Sequence, residues 1–261
     1  MNQEILEHIK NSLRKGVRID GRKPDEIRPV TIQTGFLTTA EGSARVKFGD
    51  AEVLAGVKMA LEKPYPDTPE DGVLMVNSEL LPLSNPEFES GPPSIESIET
   101  ARVIDRGIRE SKTIDTKSLC VEKGEKVWSV AIDIVPINYE GNLIDMGGLA
   151  AIAALKTATF PFVKEDGTID YHQRTDKKLD LKKMPIPITV CKIGEIFIVD
   201  PTDEEEKAVD ARLTVTSVDQ KTLCALQKGG DHPLSESDIN TMVELALKKA
   251  GELRKILEGV N

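Results

Sequence analysis

Apolar residues recur along this chain with two distinct periods. From Gln3 to Lys15, Ile5, Leu6, Ile9 and Leu13 repeat at helical spacing and predict a short amphipathic helix that Gly16 ends. The segment GVRIDGRKPDEIRPV is rich in Gly, Pro and charge, and predicts an extended, anchored linker. Strand signals then take over. ARVKFGDAEVLAGVKMAL sets β-branched and apolar residues on both sides of Gly49-Asp50, the pattern of a hairpin with a tight turn. EKPYPDTPEDG carries three prolines within six residues and predicts a surface excursion, after which GVLMVNSELLPL returns to strand character.

Pro92-Pro93-Ser94 supplies a stop and a capping hydroxyl for a helix in which Ile98, Ala101, Ile104 and Ile108 form the predicted core face. Arg102, Arg106 and Arg109 cluster about 110° away on the same wheel. EKVWSVAIDIVPINYEG predicts a buried strand, and the small, apolar GGLAAIAALKTATF a buried helix closed by Pro161. Residues 164–186 are charged and poorly patterned, which places a boundary there. Beyond it, ITVCKIGEIFIVDPT predicts a hairpin, ARLTVTSVDQKTLCALQKGG two strands around Asp219-Gln220, and Ser235 to Asp238 a capping box for a final helix that Gly259 ends. The expectation is an α/β (α+β) protein with an N-terminal helix (1–15), a first domain (16–163), a connecting segment (164–186) and a second domain (187–261).

Charge changes the picture. With 34 basic and 44 acidic side chains the formal net charge is −10, so the surface repels nucleic acid on average and any polyanion must be met by a local patch. Three cysteines far apart fit reduced thiols better than a disulfide framework or a zinc site. MNQEILEHIK is too polar for a signal peptide and no apolar run spans a bilayer, so the expectation is a cytoplasmic protein with no membrane partner.

The arginine stripe has two readings. Arg102 can pair with Glu99 or Asp105 and Arg106 with Glu110 along the helix; alternatively, guanidinium groups on adjacent turns suit a row of phosphates. The acidic run from Asp200 to Asp210 follows a strand end and is read as a solvated turn, although a metal or a general acid could sit there. Asp145-Met146-Gly147-Gly148 is a candidate anion cradle, but no Lys or Arg occurs between Val127 and Leu155, and Asp145 as a cap would occupy the amides an anion needs. The glycines are therefore assigned to helix packing. Three histidines in unrelated settings support neither a metal site nor a triad, and no nucleotide-binding loop is present, so no metal or other cofactor is expected.

RIDGRKPDEIRPV (18–30), ETARVIDRGIRES (99–111), DMGGLAAIAAL (145–155) and IVDPTDEEE (198–206), in this order, resemble the ribonuclease PH family, and more narrowly its non-catalytic branch in the archaeal exosome. The resemblance runs from about Gly16 to the end. It implies a ribonuclease PH fold, two βαβ halves resembling domain 2 of ribosomal protein S5, with mixed sheets packed by helices. It also implies a hexameric ring in which three copies alternate with three of a catalytic relative, RNA-binding cap subunits, and RNA degraded from its single-stranded 3′ end by inorganic phosphate.

Phosphorolysis brings two anions together, and catalytic members of the family hold them with a Gly-Thr-Arg-like motif ahead of the alanine helix. Here the matching window is Met146-Gly147-Gly148-Leu149-Ala150, without the arginine. Their acidic strand end resembles Asp-x-Asp; Asp200 matches the first position, Thr202 replaces the second, and Glu206 substitutes roughly for a later acid. No catalytic residue is therefore expected, only a residual acidic site, Asp200 and Glu206. The arginine helix is the implied RNA contact, Arg102 and Arg106 foremost and Arg109 after them. Two alternatives stay open, a self-sufficient phosphorolytic exoribonuclease and a scaffold that never touches RNA.

Overall fold

The computed structural model describes residues 3–260. Gly49 adopts φ +60° in the predicted tight turn, and Phe48 pairs with Ala51 directly across it. The turn joins β2 (Gly42–Phe48) to β3 (Ala51–Glu62), with β1 (Val30–Thr34) antiparallel on the far side of β2. β4 (Val73–Ser78) lies at the opposite edge and pairs parallel with β6 (Lys126–Asn138), which in turn pairs antiparallel with β3 and with the short β5 (Cys120–Glu122). The order is β1-β2-β3-β6-β4. Along β3 the alternation is strict: Val53, Ala55, Val57 and Met59 face the core, while Leu54, Gly56, Lys58 and Ala60 are half-buried on the other side.

α2 (Ile95–Glu110) crosses between the parallel strands β4 and β6 and blunts the exposed edge of the sheet. Arg109 Nη2 donates to Leu74 O at 3.0 Å and Ser97 Oγ to Ser78 O at 2.5 Å, both on β4. The core face of α2 is rotated from the expected one: Ser97, Thr100, Val103, Ile104, Gly107 and Ile108 are buried, whereas Ile98 is 48% and Ile95 86% exposed. Two polar residues go inward because the helix lies close enough for Ser97 to reach the β4 backbone, and Gly107 lets Thr216 approach.

α3 (Leu143–Thr157) is clamped between the first sheet and a second one, and Leu149 to Leu155 are at most 1% exposed. The helix ends at Ala158 rather than at Pro161, which belongs to β7 (Thr159–Val163). β7 pairs with β8 (Ile169–Lys178), a strand inside the segment expected only to connect the halves. A Cβ on Gly148 would lie 2.3 Å from Pro187 Cγ, and one on Gly147 2.9 Å from Ile104 Cδ1. Gly148→Ala is expected to lower stability by about 1–3 kcal/mol through forced overpacking, measured by urea denaturation. Gly251→Ala, where a Cβ meets nothing within 4 Å in a helix, is the control and should stabilise by up to about 1 kcal/mol.

The second sheet has the order β10-β9-β11-β12, from β9 (Ile186–Ile193), β10 (Ile196–Val199), β11 (Ala211–Ser217) and β12 (Leu223–Gly229). Every pair in it is antiparallel, so the parallel crossover expected in each half is found in the first half alone. The helix between β10 and β11, α4 (Asp203–Glu206), is a single turn, too short to carry the chain over the sheet to a parallel start. α5 (Glu236–Glu258) starts from the expected Ser235–Asp238 capping box and covers β9 and β11. α1 (Gln3–Arg14) buries Ile9 and Leu13 against Cys191, Ile193, Ile198 and Ala208, on the half made last. No helix among the described residues is long and apolar enough to cross a membrane.

Candidate functional site

Ser94 caps α2, its hydroxyl accepting from Ser97 N, and the helix then carries Arg102, Arg106 and Arg109 on its exposed side. The ion pairs that would neutralise this stripe are only partly made. Arg109 pairs with Asp105 at 2.8 Å, and Glu99 turns away to Arg212 at 2.6 Å. Arg102 and Arg106 make no hydrogen bond or ion pair among the described residues. All three arginines line an open groove of about 1050 Å³ with Met75, Ile98 and Lys228, and with the acids Glu99, Asp105 and Glu110, of which Glu99 and Asp105 are held by Arg212 and Arg109. Two unpaired guanidinium groups one turn apart, beside apolar surface, can each donate a bidentate pair of hydrogen bonds to a phosphate.

The expected residual acids are buried instead of open. Asp200, at φ +49°, is fully buried at its side chain and accepts from five donors. Arg28 supplies its backbone N at 2.8 Å, Nε at 2.9 Å and Nη2 at 2.7 Å; Arg22 Nη1 adds 2.7 Å and Asn142 Nδ2 2.8 Å. Burial alone would raise its pKa, but Arg28 and Arg22 outweigh it and hold the carboxyl below the usual range. Glu206 meets Tyr139 Oη at 2.5 Å and Asn142 N at 2.8 Å, and burial pushes its pKa up to about 7 despite both donors. Asn142 therefore bridges the two acids. Thr202, read as the replacement for the second acid of the Asp-x-Asp pattern, caps α4 in a capping box with Glu205.

Asp145 does not cap α3. Asn142 holds that position in left-handed geometry without a side-chain cap bond, and Met146 to Ala150 lie within the helix, buried. The carboxylate of Asp145 accepts instead from Thr189 N at 2.8 Å and Thr189 Oγ1 at 2.7 Å, and burial pushes its pKa up to about 7. The carboxyl of Glu206 accepts from the Asn142 amide at the start of α3, so that this end of the helix is already occupied by an internal acceptor.

Sequence reasoning assigned no role to Arg18, Arg22, Arg28, Glu205 or Tyr139. Arg18 is completely buried with Glu205, donating Nε to Oε1 at 2.9 Å and Nη2 to Oε2, and it also reaches the carbonyls of Glu26, Val199 and Asp200. The available signal was the three arginines of RIDGRKPDEIRPV against the acids of IVDPTDEEE.

A model of domain 1 of the 3′ exoribonuclease family (ribonuclease PH) matches residues 26–161, and a model of domain 2 matches residues 183–249. The chain is 43% identical to an exosome complex component Rrp42 of Methanocella arvoryzae over 100% of both proteins, and 44% identical to one of Pyrococcus abyssi over 98% of this chain and 94% of that one. Among solved structures it is similar to a chain of an Archaeoglobus fulgidus exosome with RNA bound to the active site (TM-score 0.90, 42% identity, 97% of each chain) and to one of an archaeal exosome core (0.86, 38%, 98% and 97%). Rice Rrp46 shares the fold at a TM-score of 0.70 and 18% identity, over 93% of this chain and 99% of that one. With both of its halves matched in order on this fold, the chain belongs to the 3′ exoribonuclease family of ribonuclease PH.

Proposed function

We propose that the chain is a non-catalytic, RNA-positioning subunit of an archaeal-type exosome, a phosphate-dependent 3′→5′ exoribonuclease of the cytoplasm. In this reading three copies alternate with three of a catalytic ribonuclease-PH-like subunit, cap subunits deliver RNA, and Arg102 and Arg106 hold the phosphates of a single strand on its way to the partner's active site. Arg109, tied to Asp105, contributes less. The full-length relatives named as exosome components support the assignment. The observation that carries it is the pair of unpaired arginines on α2, set against an α3 whose Met146–Ala150 window is packed shut by Ile104, Ile134 and Pro187. Two anions brought together need cations, and the buried arginines nearby are already spent on Asp200 and Glu205. Asp200 and Glu206 accordingly hold the α3 and α4 ends in place and do no chemistry.

The test is reconstitution with the catalytic partner. The isolated chain should show no phosphate-stimulated shortening of RNA, and turnover by the pure chain would revive a self-sufficient enzyme. In the assembled ring, Arg102→Ala/Arg106→Ala should weaken RNA binding about tenfold or more and lower the salt slope of log K by about 1 to 2, as expected for two lost phosphate contacts on a single strand. An unchanged slope would leave a scaffold without RNA contact.

A further inference from the structure

Beside the arginine groove lies a second, larger one of about 1280 Å³, bounded by β4, the 87–94 loop and the first turns of α2. Its charge is opposite. Five of its lining residues are acidic, Glu79, Glu87, Glu89, Glu96 and Asp133, and Arg102 is the one cation among the described lining. Lys207 neutralises Glu87 from outside, but Glu79 and Glu89 have no ion pair among the described residues. The floor and wall are apolar, and Ile95 and Ile98 stand out into solvent there.

The groove is preformed. Asn85 Oδ1 accepts from Glu87 N at 2.8 Å, Tyr139 N donates to Ser84 O, and the Phe88 ring packs edge-on against Tyr139 at 5.0 Å. Among the described residues one buried group in it lacks a partner: Ser78, only 9% exposed, has an Oγ with no hydrogen bond, although its own carbonyl is taken by Ser97. A buried hydroxyl left unpaired is unfavourable by about 1–3 kcal/mol, which a ligand carrying a donor would relieve.

We infer that this groove seats a basic segment of the neighbouring catalytic ribonuclease-PH-like subunit, with Lys or Arg side chains on the acids and an apolar residue between Ile95 and Ile98. The inference rests on the ring-subunit reading and names the surface through which that ring closes. Five acids against a single cation favour a basic occupant over RNA in this groove. Ile95, Ile98 and Arg102 line both grooves, so the docked segment and the RNA groove adjoin along the first turns of α2 and the phosphates are held at the joint between subunits.

Two measurements on the full chain with the purified catalytic partner test this. Glu79→Lys/Glu89→Lys, both exposed, should leave the melting curve of the chain unchanged and weaken assembly at low salt about tenfold or more, as charge reversal across a complementary interface does. A benzophenone amino acid placed at Ser90, which is exposed and lines this groove but not the arginine groove, should crosslink to a Lys- or Arg-rich segment of the partner. Assembly that persists undiminished in the charge-reversed chain, or crosslinks to a second copy of this chain, to RNA or to nothing while the ring still forms, would overturn the inference and leave the ring reading intact. Failure of the unmodified chain to assemble with the partner would instead remove the ring reading, and this inference with it.

Discussion

Arg18→Ala is expected to lower the free energy of unfolding by about 3–5 kcal/mol, read as a shift of the urea midpoint, because it strands a buried carboxylate. Both members of the Arg18–Glu205 pair have fully buried side chains, and Glu205 also accepts from Thr202 N at 2.9 Å. Arg18 ties three carbonyls as well, so Arg18→Lys, with one compact ammonium in place of a planar fork, should restore little of the loss. Arg18→Met/Glu205→Met removes the stranded charge but leaves those carbonyls unpaired, and should fall between the wild type and the single variant. Equal stability of Arg18→Ala and wild type would show that water reaches Glu205.

Raising the pH from about 4.5 to 7 should weaken the fold, contrary to the usual behaviour of an acidic protein. Asp145 and Glu206 ordinarily titrate at 3.8 and 4.5, and burial moves both to about 7 in the folded chain. Between those values the folded state binds more protons than the unfolded one, so stability falls with pH, by at most about 1.4 kcal/mol per pH unit for each group, and levels off above 7. Asp200 has the opposite sign: its pKa is depressed, so its contribution is lost as pH falls below about 3.8. Denaturation curves taken from pH 3 to 8 should therefore place the maximum near the ordinary carboxylate range, and Asp145→Asn should flatten the descending limb. Stability that climbs steadily from pH 4.5 to 7 would contradict the burial of these two groups.

The elements that the sequence made legible are those fixed by local signals. The Gly49-Asp50 hairpin, the Ser94 cap and the Ser235–Asp238 capping box each depend on residues within four positions of one another. The arginine stripe was legible for the same reason, since helical spacing alone puts Arg102 and Arg106 on one side. Which side of α2 faces the core was not, because Ser97 and Thr100 go inward only in the presence of β4 and the second half. Within DPTDEEE, nothing local distinguishes Glu205 from Glu206: the phase of a one-turn helix sends the first to Arg18 and the second to Tyr139. Local signals allow Asp145 as a cap, but it is drawn instead to Thr189, on a strand 44 positions away.

The pairing of Arg18 with Glu205 spans 187 residues, and those of Arg22 and Arg28 with Asp200 span 178 and 172. At synthesis rates of about 5–20 residues per second, the opening segment leaves the ribosome roughly 10–40 s before its counter-ions exist. During that interval α1 has no surface to cover and the three arginines have no counter-ions, so this opening segment can be locked in only after the second half has formed.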